Sequence, residues 1–132
     1  MAIACRLGAV VWLLMCTAVT AEPCCDPEGP FARGESFPDK PATCTTAAYW
    51  IDRAPDTDER ISFAITGALT AVHWDGALAY LIMCQAPNVE VMCVTYSAKD
   101  HAVGEPVTFA GGYMRAGERR IMLDPCLPHE AE

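Results

Sequence analysis

The chain has 132 residues, which is short enough for a single domain, and its 52% hydrophobic content is enough for a packed core. Its 9 Lys and Arg residues against 17 Asp and Glu residues give a net charge of −8. An acidic surface repels the phosphate backbone, so this balance argues against a nucleic-acid-binding protein.

Residues 1–21 have the layout of a secretory signal peptide. Arg6 provides the positive charge, Leu7–Met15 is apolar, and small residues lead to a cleavage point after Ala21. The apolar run is shorter than the roughly 20 residues that span a bilayer, so we expect no stable membrane insertion after cleavage. Two alternatives stay open: an uncleaved anchor, and a lipoprotein that carries its lipid on Cys16. The predicted location is the periplasm or the extracellular space.

Cleavage would leave six of the eight cysteines, an even number that predicts disulfides in an exported chain. They are Cys24, Cys25, Cys44, Cys84, Cys93 and Cys126. The sequence does not fix their pairing. The adjacent Cys24 and Cys25 fit a vicinal disulfide or a soft-metal clamp, but we expect each of them to bridge to a more distant cysteine.

The cleaved chain divides into three parts by composition. Residues 22–58 are rich in proline, glycine and charge, which predicts an irregular lead-in tied down by its cysteines. Within it, Thr45–Ile51 fits either one helical turn or a strand. Residues 59–126 contain five predicted strands, and residues 127–132 form a predicted acidic tail.

The five predicted strands show the alternation of a half-buried sheet, with Ile61, Phe63 and Ile65 as the clearest example. They lie in the segments 61–76, 77–84, 89–96, 106–116 and 119–126. Gly67 and Gly111-Gly112 predict bends within strands, and Asp75-Gly76 predicts a tight hairpin turn. The pattern predicts an all-β domain: a small five-stranded OB-like barrel or, as the alternative, a β-sandwich.

Three segments carry a resemblance to a known family. ISFAITGALTAV resembles the bent first strand of OB domains, and VMCVTYSAKDHAVGEPVTFAGGY resembles a pattern of the exported tRNA_anti-like OB-fold family. LDPCL resembles that family's closing segment loosely, with a proline before the cysteine. The resemblance covers about 65 residues and implies the OB barrel. It does not imply tRNA binding, because a fold does not determine a function.

The resemblance also implies a disulfide. The third and fifth strands of an OB barrel are neighbours, so it implies a Cys93–Cys126 bridge, with Cys84–Cys93 as the competing pairing. If Cys93 pairs with Cys126, then Cys84 pairs with Cys24, Cys25 or Cys44, and the other two pair together.

The chain contains none of the common catalytic or cofactor-binding motifs, so we expect neither an enzyme nor a cofactor. The predicted function is binding. The strand two–three face of OB barrels commonly meets a partner, and here it would present Tyr80, Glu90 and Tyr96. An acidic surface favours a cationic partner, either a protein or a small molecule. The alternative is a periplasmic copper-binding protein that uses His73, Met83 and Met92, since thioether and imidazole suit Cu(I).

Overall fold

The computed structural model describes residues 24–97 and 100–130. The predicted signal peptide lies outside these residues. The described part forms seven strands and one short helix: β1 (Phe31–Arg33), β2 (Ala42–Thr43), α1 (Ala47–Ile51), β3 (Ile61–Trp74), β4 (Ala79–Met83), β5 (Glu90–Thr95), β6 (Pro106–Gly117) and β7 (Arg120–Glu130). Within the described ranges, no helix is long and apolar enough to cross a membrane.

Five of the strands close into a barrel in the order β3-β4-β5-β7-β6, because β3 also pairs with β6. The long β3 makes this closure possible. Its first half, residues 62–68, pairs with β6, and its second half, residues 69–74, pairs with β4. β5 and β7 run parallel, and the other barrel pairs are antiparallel. The predicted OB-like barrel is therefore confirmed, and the β-sandwich alternative is wrong.

The barrel core consists of every second side chain of its strands, as the alternating pattern predicted. Fully or almost fully buried members are Ile61, Phe63, Ile65, Leu69, Leu81, Met83, Val91, Cys93, Val107, Phe109, Ile121 and Leu123. The predicted bend of β3 appears as a register shift between Leu69 and Ala71, just after Gly67. Most side chains between the core positions face outwards, but Ser62, Ala64, Val94 and Ala110 are buried as well.

The N-terminal extension is more ordered than the predicted lead-in. β1 and β2 pair with the first half of β3, which β4 does not cover. From β1, Phe31 packs against Phe63 and Tyr113, with ring centroids 5.0 and 5.1 Å away. The open choice for Thr45–Ile51 resolves as a helix, α1.

Three disulfides connect the six described cysteines. Cys93–Cys126 joins β5 to β7, which confirms the implied pairing and rejects Cys84–Cys93. Cys44–Cys84 ties the extension to the end of β4, and Cys24–Cys25 is a vicinal disulfide. The expectation that Cys24 and Cys25 would bridge elsewhere is wrong. The fold pairs the other four cysteines among themselves, so the adjacent two have only each other.

β7 runs to Glu130, four residues past the predicted end of the barrel at Cys126. Leu127 to Glu130 pair with β6, so most of the predicted tail belongs to the sheet. Gly111 allows this pairing. A Cβ atom there would lie 2.4 Å from the Pro125 carbonyl oxygen and 2.9 Å from the Cys126 Cα atom. The predicted bend at Gly111-Gly112 is thus a site of close backbone approach, marked by a register shift between Gly111 and Tyr113.

We predict that Gly111→Ala destabilises the protein, because the new methyl group must displace the β7 backbone. Such overpacking costs about 1–3 kcal/mol of the free energy of unfolding, measurable by urea denaturation. Gly117→Ala is the matched control, since a Cβ atom there has its nearest neighbour at 3.7 Å. Equal stability losses in the two variants would contradict this explanation of Gly111.

We also predict unequal contributions from two of the disulfides. The Cys44–Cys84 bridge spans 40 residues of sequence and constrains the unfolded chain, so Cys44→Ala/Cys84→Ala should lower the free energy of unfolding by about 2–4 kcal/mol. The Cys24–Cys25 bridge joins neighbours and closes almost no loop, so Cys24→Ala/Cys25→Ala should cost less than about 1 kcal/mol. Urea denaturation under non-reducing conditions measures both, and a larger loss for the vicinal pair would contradict the prediction.

Candidate functional site on the outer face of the barrel

The structure places the three predicted binding residues on the outside of the barrel wall. Tyr80 faces outwards from β4, since its neighbours Ala79 and Leu81 are fully buried. Glu90 begins β5 and is half-buried. Tyr96 follows the last residue of β5 and is 78% exposed.

Only two of these three residues lie close together. Tyr80 pairs with Val94, so Tyr96, two residues further on, is its diagonal neighbour at roughly 7–8 Å between Cα atoms. Glu90 lies at the other end of β5, on the order of 20 Å from Tyr96. It forms an ion pair with Arg120, with 3.7 Å between nitrogen and oxygen. The tyrosines can therefore share a ligand, while Glu90 belongs to a separate part of the surface.

The turn after β3 holds the Tyr80 ring in place. Gly76 adopts the left-handed φ of +98° that the predicted Asp75-Gly76 turn requires. Oδ1 of Asp75 accepts hydrogen bonds from the backbone N–H groups of Ala77 (2.8 Å) and Leu78 (2.7 Å). Its Oδ2 accepts a hydrogen bond from the Tyr80 hydroxyl at 3.0 Å. The turn and the hydrogen bond together thus fix the orientation of the Tyr80 ring.

These hydrogen bonds shift the pKa values of both partners in opposite directions. The backbone donors of Leu78 and Ala77 lower the pKa of Asp75, because they stabilise its carboxylate. The bond to Asp75 raises the pKa of Tyr80, because the phenol loses its acceptor when it ionises. The nearby charge of Asp124 raises the Tyr80 pKa further. Asp75 therefore remains a carboxylate and Tyr80 a neutral phenol at neutral pH.

The sequence alone does not indicate that carboxylates lie beside the two tyrosines. Its pattern identifies Asp75 only as a turn residue. Asp124 is exposed on β7, and the parallel pairing of Cys93 with Leu123 puts it beside Val94, the partner of Tyr80. No local sequence pattern indicates that Asp124 lies near Tyr80, since β7 and β4 are far apart in sequence. The site, which we name the aromatic–acidic patch, comprises Asp75, Tyr80, Tyr96 and Asp124.

The Lys and Arg side chains of the described ranges make their contacts with groups other than the carboxylates of the patch. Each of the 7 Lys and Arg residues in the described ranges has a partner. Arg33, Lys40, Arg60 and Arg120 contact carboxylates. Arg53, Arg115 and Arg119 donate to backbone carbonyl groups. None of these contacts involves Asp75 or Asp124, although Arg60 and Arg115 line the same depression as Asp124.

The predicted copper ligands do not come together. Met83 is fully buried inside the barrel, whereas Met92 and the exposed His73 lie on its outer side. The barrel wall therefore separates Met83 from the other two predicted ligands. Among the described residues, no group of three or more His, Cys, Asp and Glu side chains could hold a metal ion.

An apolar cleft lies elsewhere, between the N-terminal extension and the strands β6 and β7. Its volume is about 170 Å³, and its lining includes Phe37, Ala110 and Leu127. The Arg60–Glu35 ion pair borders it, with 2.8 Å between nitrogen and oxygen. None of the residues of the aromatic–acidic patch lines this cleft.

The sequence matches no protein-family model, and a search of curated proteins finds no match either. We therefore infer the function of this chain from the geometry of its own residues.

We predict that Asp75→Asn lowers the pKa of Tyr80 towards its ordinary value, because the substitution removes the charge that opposes ionisation of the phenol. Titration by NMR of ring-labelled tyrosine measures the change. Tyr113 is the internal control. Burial is the main cause that raises its pKa, so its value should stay high in the variant. A Tyr80 pKa unaffected by Asp75→Asn would contradict the coupling.

Proposed function

We propose that the protein is an exported, non-enzymatic binding module that engages a cationic group of a protein or small-molecule partner through the aromatic–acidic patch. The observation that carries this proposal is the convergence of Tyr80 and Tyr96 with Asp75 and Asp124 at one end of the outer face. The exposed Tyr96 and the two carboxylates are accessible to solvent.

Two kinds of attraction support a cationic ligand. An ammonium or guanidinium group over an aromatic ring is drawn to the negative face of the ring. The carboxylates add direct attraction, and the net charge of the chain steers a cation towards its surface. Because Asp75 already fixes Tyr80, binding would not have to order that side chain.

Export to the periplasm or beyond is part of the proposal. Three disulfides in a small domain are typical of an oxidising compartment. The signal-like leader supports the same location.

The contacts of the polar side chains fit a non-enzymatic role without a cofactor. The hydroxyl group of Ser62 donates to the Gly34 carbonyl oxygen, so it ties the extension to β3 and does not approach a base. His101 contacts Glu105 at 3.3 Å within its own loop. The OB barrel itself, and the resemblance to the exported tRNA_anti-like family, support a binding surface but no nucleic-acid ligand, because the surface is acidic.

A labelled cationic peptide tests the proposal. We expect a short fluorescein-labelled peptide of alternating Arg and Gly to bind at low salt, as measured by fluorescence anisotropy, and the matching Glu and Gly peptide not to bind. Tyr96→Ser should weaken binding about two- to fivefold, the effect of losing an exposed cation–π contact. Tyr96→Phe keeps the ring and should bind like the unmodified protein.

Charge variants distinguish binding at the patch from general electrostatic attraction to the acidic protein surface. Asp124→Asn should weaken binding of the Arg and Gly peptide, because it removes a carboxylate beside Tyr80. Asp39→Asn removes the same charge from an exposed position outside the patch and should have a smaller effect. Equal effects of the two variants, or no effect of Tyr96→Ser, would reject the patch as the binding site.

A further inference from the structure

Three methionines form a row across the outer wall of the barrel. The parallel register of β5 and β7 pairs Met92 with Met122, and the antiparallel register of β6 and β7 pairs Met122 with Met114. The row therefore contains one methionine from each of three adjacent strands, with Met122 in the centre. Neighbouring strands lie about 4.7–4.9 Å apart.

The row faces solvent and not the core. Met92 alternates with the buried Val91 and Cys93, and Met122 alternates with the buried Ile121 and Leu123. Both methionines are half-buried, and Met114 is 53% exposed. Core filling, the ordinary use of methionine, thus does not explain them. It does explain Met83, which is fully buried.

Thioether groups in this arrangement can reach one another. A methionine side chain is unbranched, with three rotatable bonds, so the sulfur atoms of Met92 and Met114 can lean over Met122 from either side. Thioether sulfur is a soft ligand that prefers Cu(I) to harder divalent ions. The exposed carboxylate of Asp124, two residues beyond Met122 on the same face of β7, adds a negative charge beside the row.

Thiolates would be stronger soft ligands, but the described cysteines are all in disulfides. In the oxidised protein, the methionine row is therefore left as the concentrated source of soft donor atoms on the outer wall. We propose that Met92, Met114 and Met122 form a thioether site for a soft monovalent metal ion, Cu(I) or Ag(I). This site is independent of the proposed binding of cationic groups by the aromatic–acidic patch.

Silver nitrate titration of the oxidised, exported protein tests the site, because Ag(I) has the same soft character and does not change oxidation state. With methionine labelled at its methyl carbon, we expect the NMR resonances of Met92, Met114 and Met122 to shift together and saturate at one Ag(I) per chain. Met83 is the internal control and should not shift, since it lies in the core. No shift, a shift of Met114 alone, or a shift of all four resonances would overturn the proposal.

The Ag(I) affinity of two variants is the second test of the site. Met122→Leu removes the central ligand with little change in volume and should weaken Ag(I) binding, measured by calorimetry, about tenfold or more, because one of three soft ligands is lost. His73→Gln lies outside the row and should leave the affinity unchanged. Circular dichroism checks that both variants are folded. An Ag(I) affinity that depends on His73 and not on Met122 would also overturn the proposal.

Discussion

The structure depends on the way β3 divides its pairing between different neighbours. Its first half lies between β6 on one side and β1 and β2 on the other, and its second half pairs with β4. This division closes the sheet, so the backbone groups of the barrel strands find partners within it. Successive side chains of a strand point to opposite faces of the sheet. In a closed barrel, one face is the core and the other is the outer surface, so closure also determines which side chains face outwards.

Both candidate sites follow from that alternation. Tyr80 and Val94 form one outward pair of β4 and β5, and Ile82 and Met92 form the next outward pair along the same strands. The aromatic–acidic patch and the methionine row are thus neighbouring parts of a single surface. Asp124 lies where they meet, so its charge contributes to both.

Local patterns in the sequence were sufficient for the five barrel strands and the Asp75-Gly76 turn, but not for β1 and β2. The segment from Ile61 to Ile65 is a strand as predicted, although Ser62 and Ala64 are buried together with the core residues between which they lie. The end of β7 was not predictable in this way. Leu127 to Glu130 lack a strong strand pattern, and they join the sheet because Gly111 lets the backbone of β7 approach β6.

The functional surface was less predictable than the fold, for a related reason. Tyr80 and Tyr96 were found because β4 and β5 are consecutive strands. Met122 and Asp124 come to the same surface through the parallel pairing of β5 with β7, which joins segments separated by about 30 residues. The vicinal disulfide has the same origin: Cys24 and Cys25 pair with each other only because the fold brings Cys44 to Cys84 and Cys93 to Cys126.

The N-terminal extension explains why one end of the outer face stays open. Its contacts concentrate on the first half of β3 and, through Cys44–Cys84, on the residue that follows β4. Tyr80 lies near the opposite end of β4, next to the turn that follows β3. The extension therefore stabilises one end of the barrel without covering the patch. Trp74 and Tyr96, 48% and 78% exposed, lie at the other end, where the proposed binding of a cationic partner would cover them.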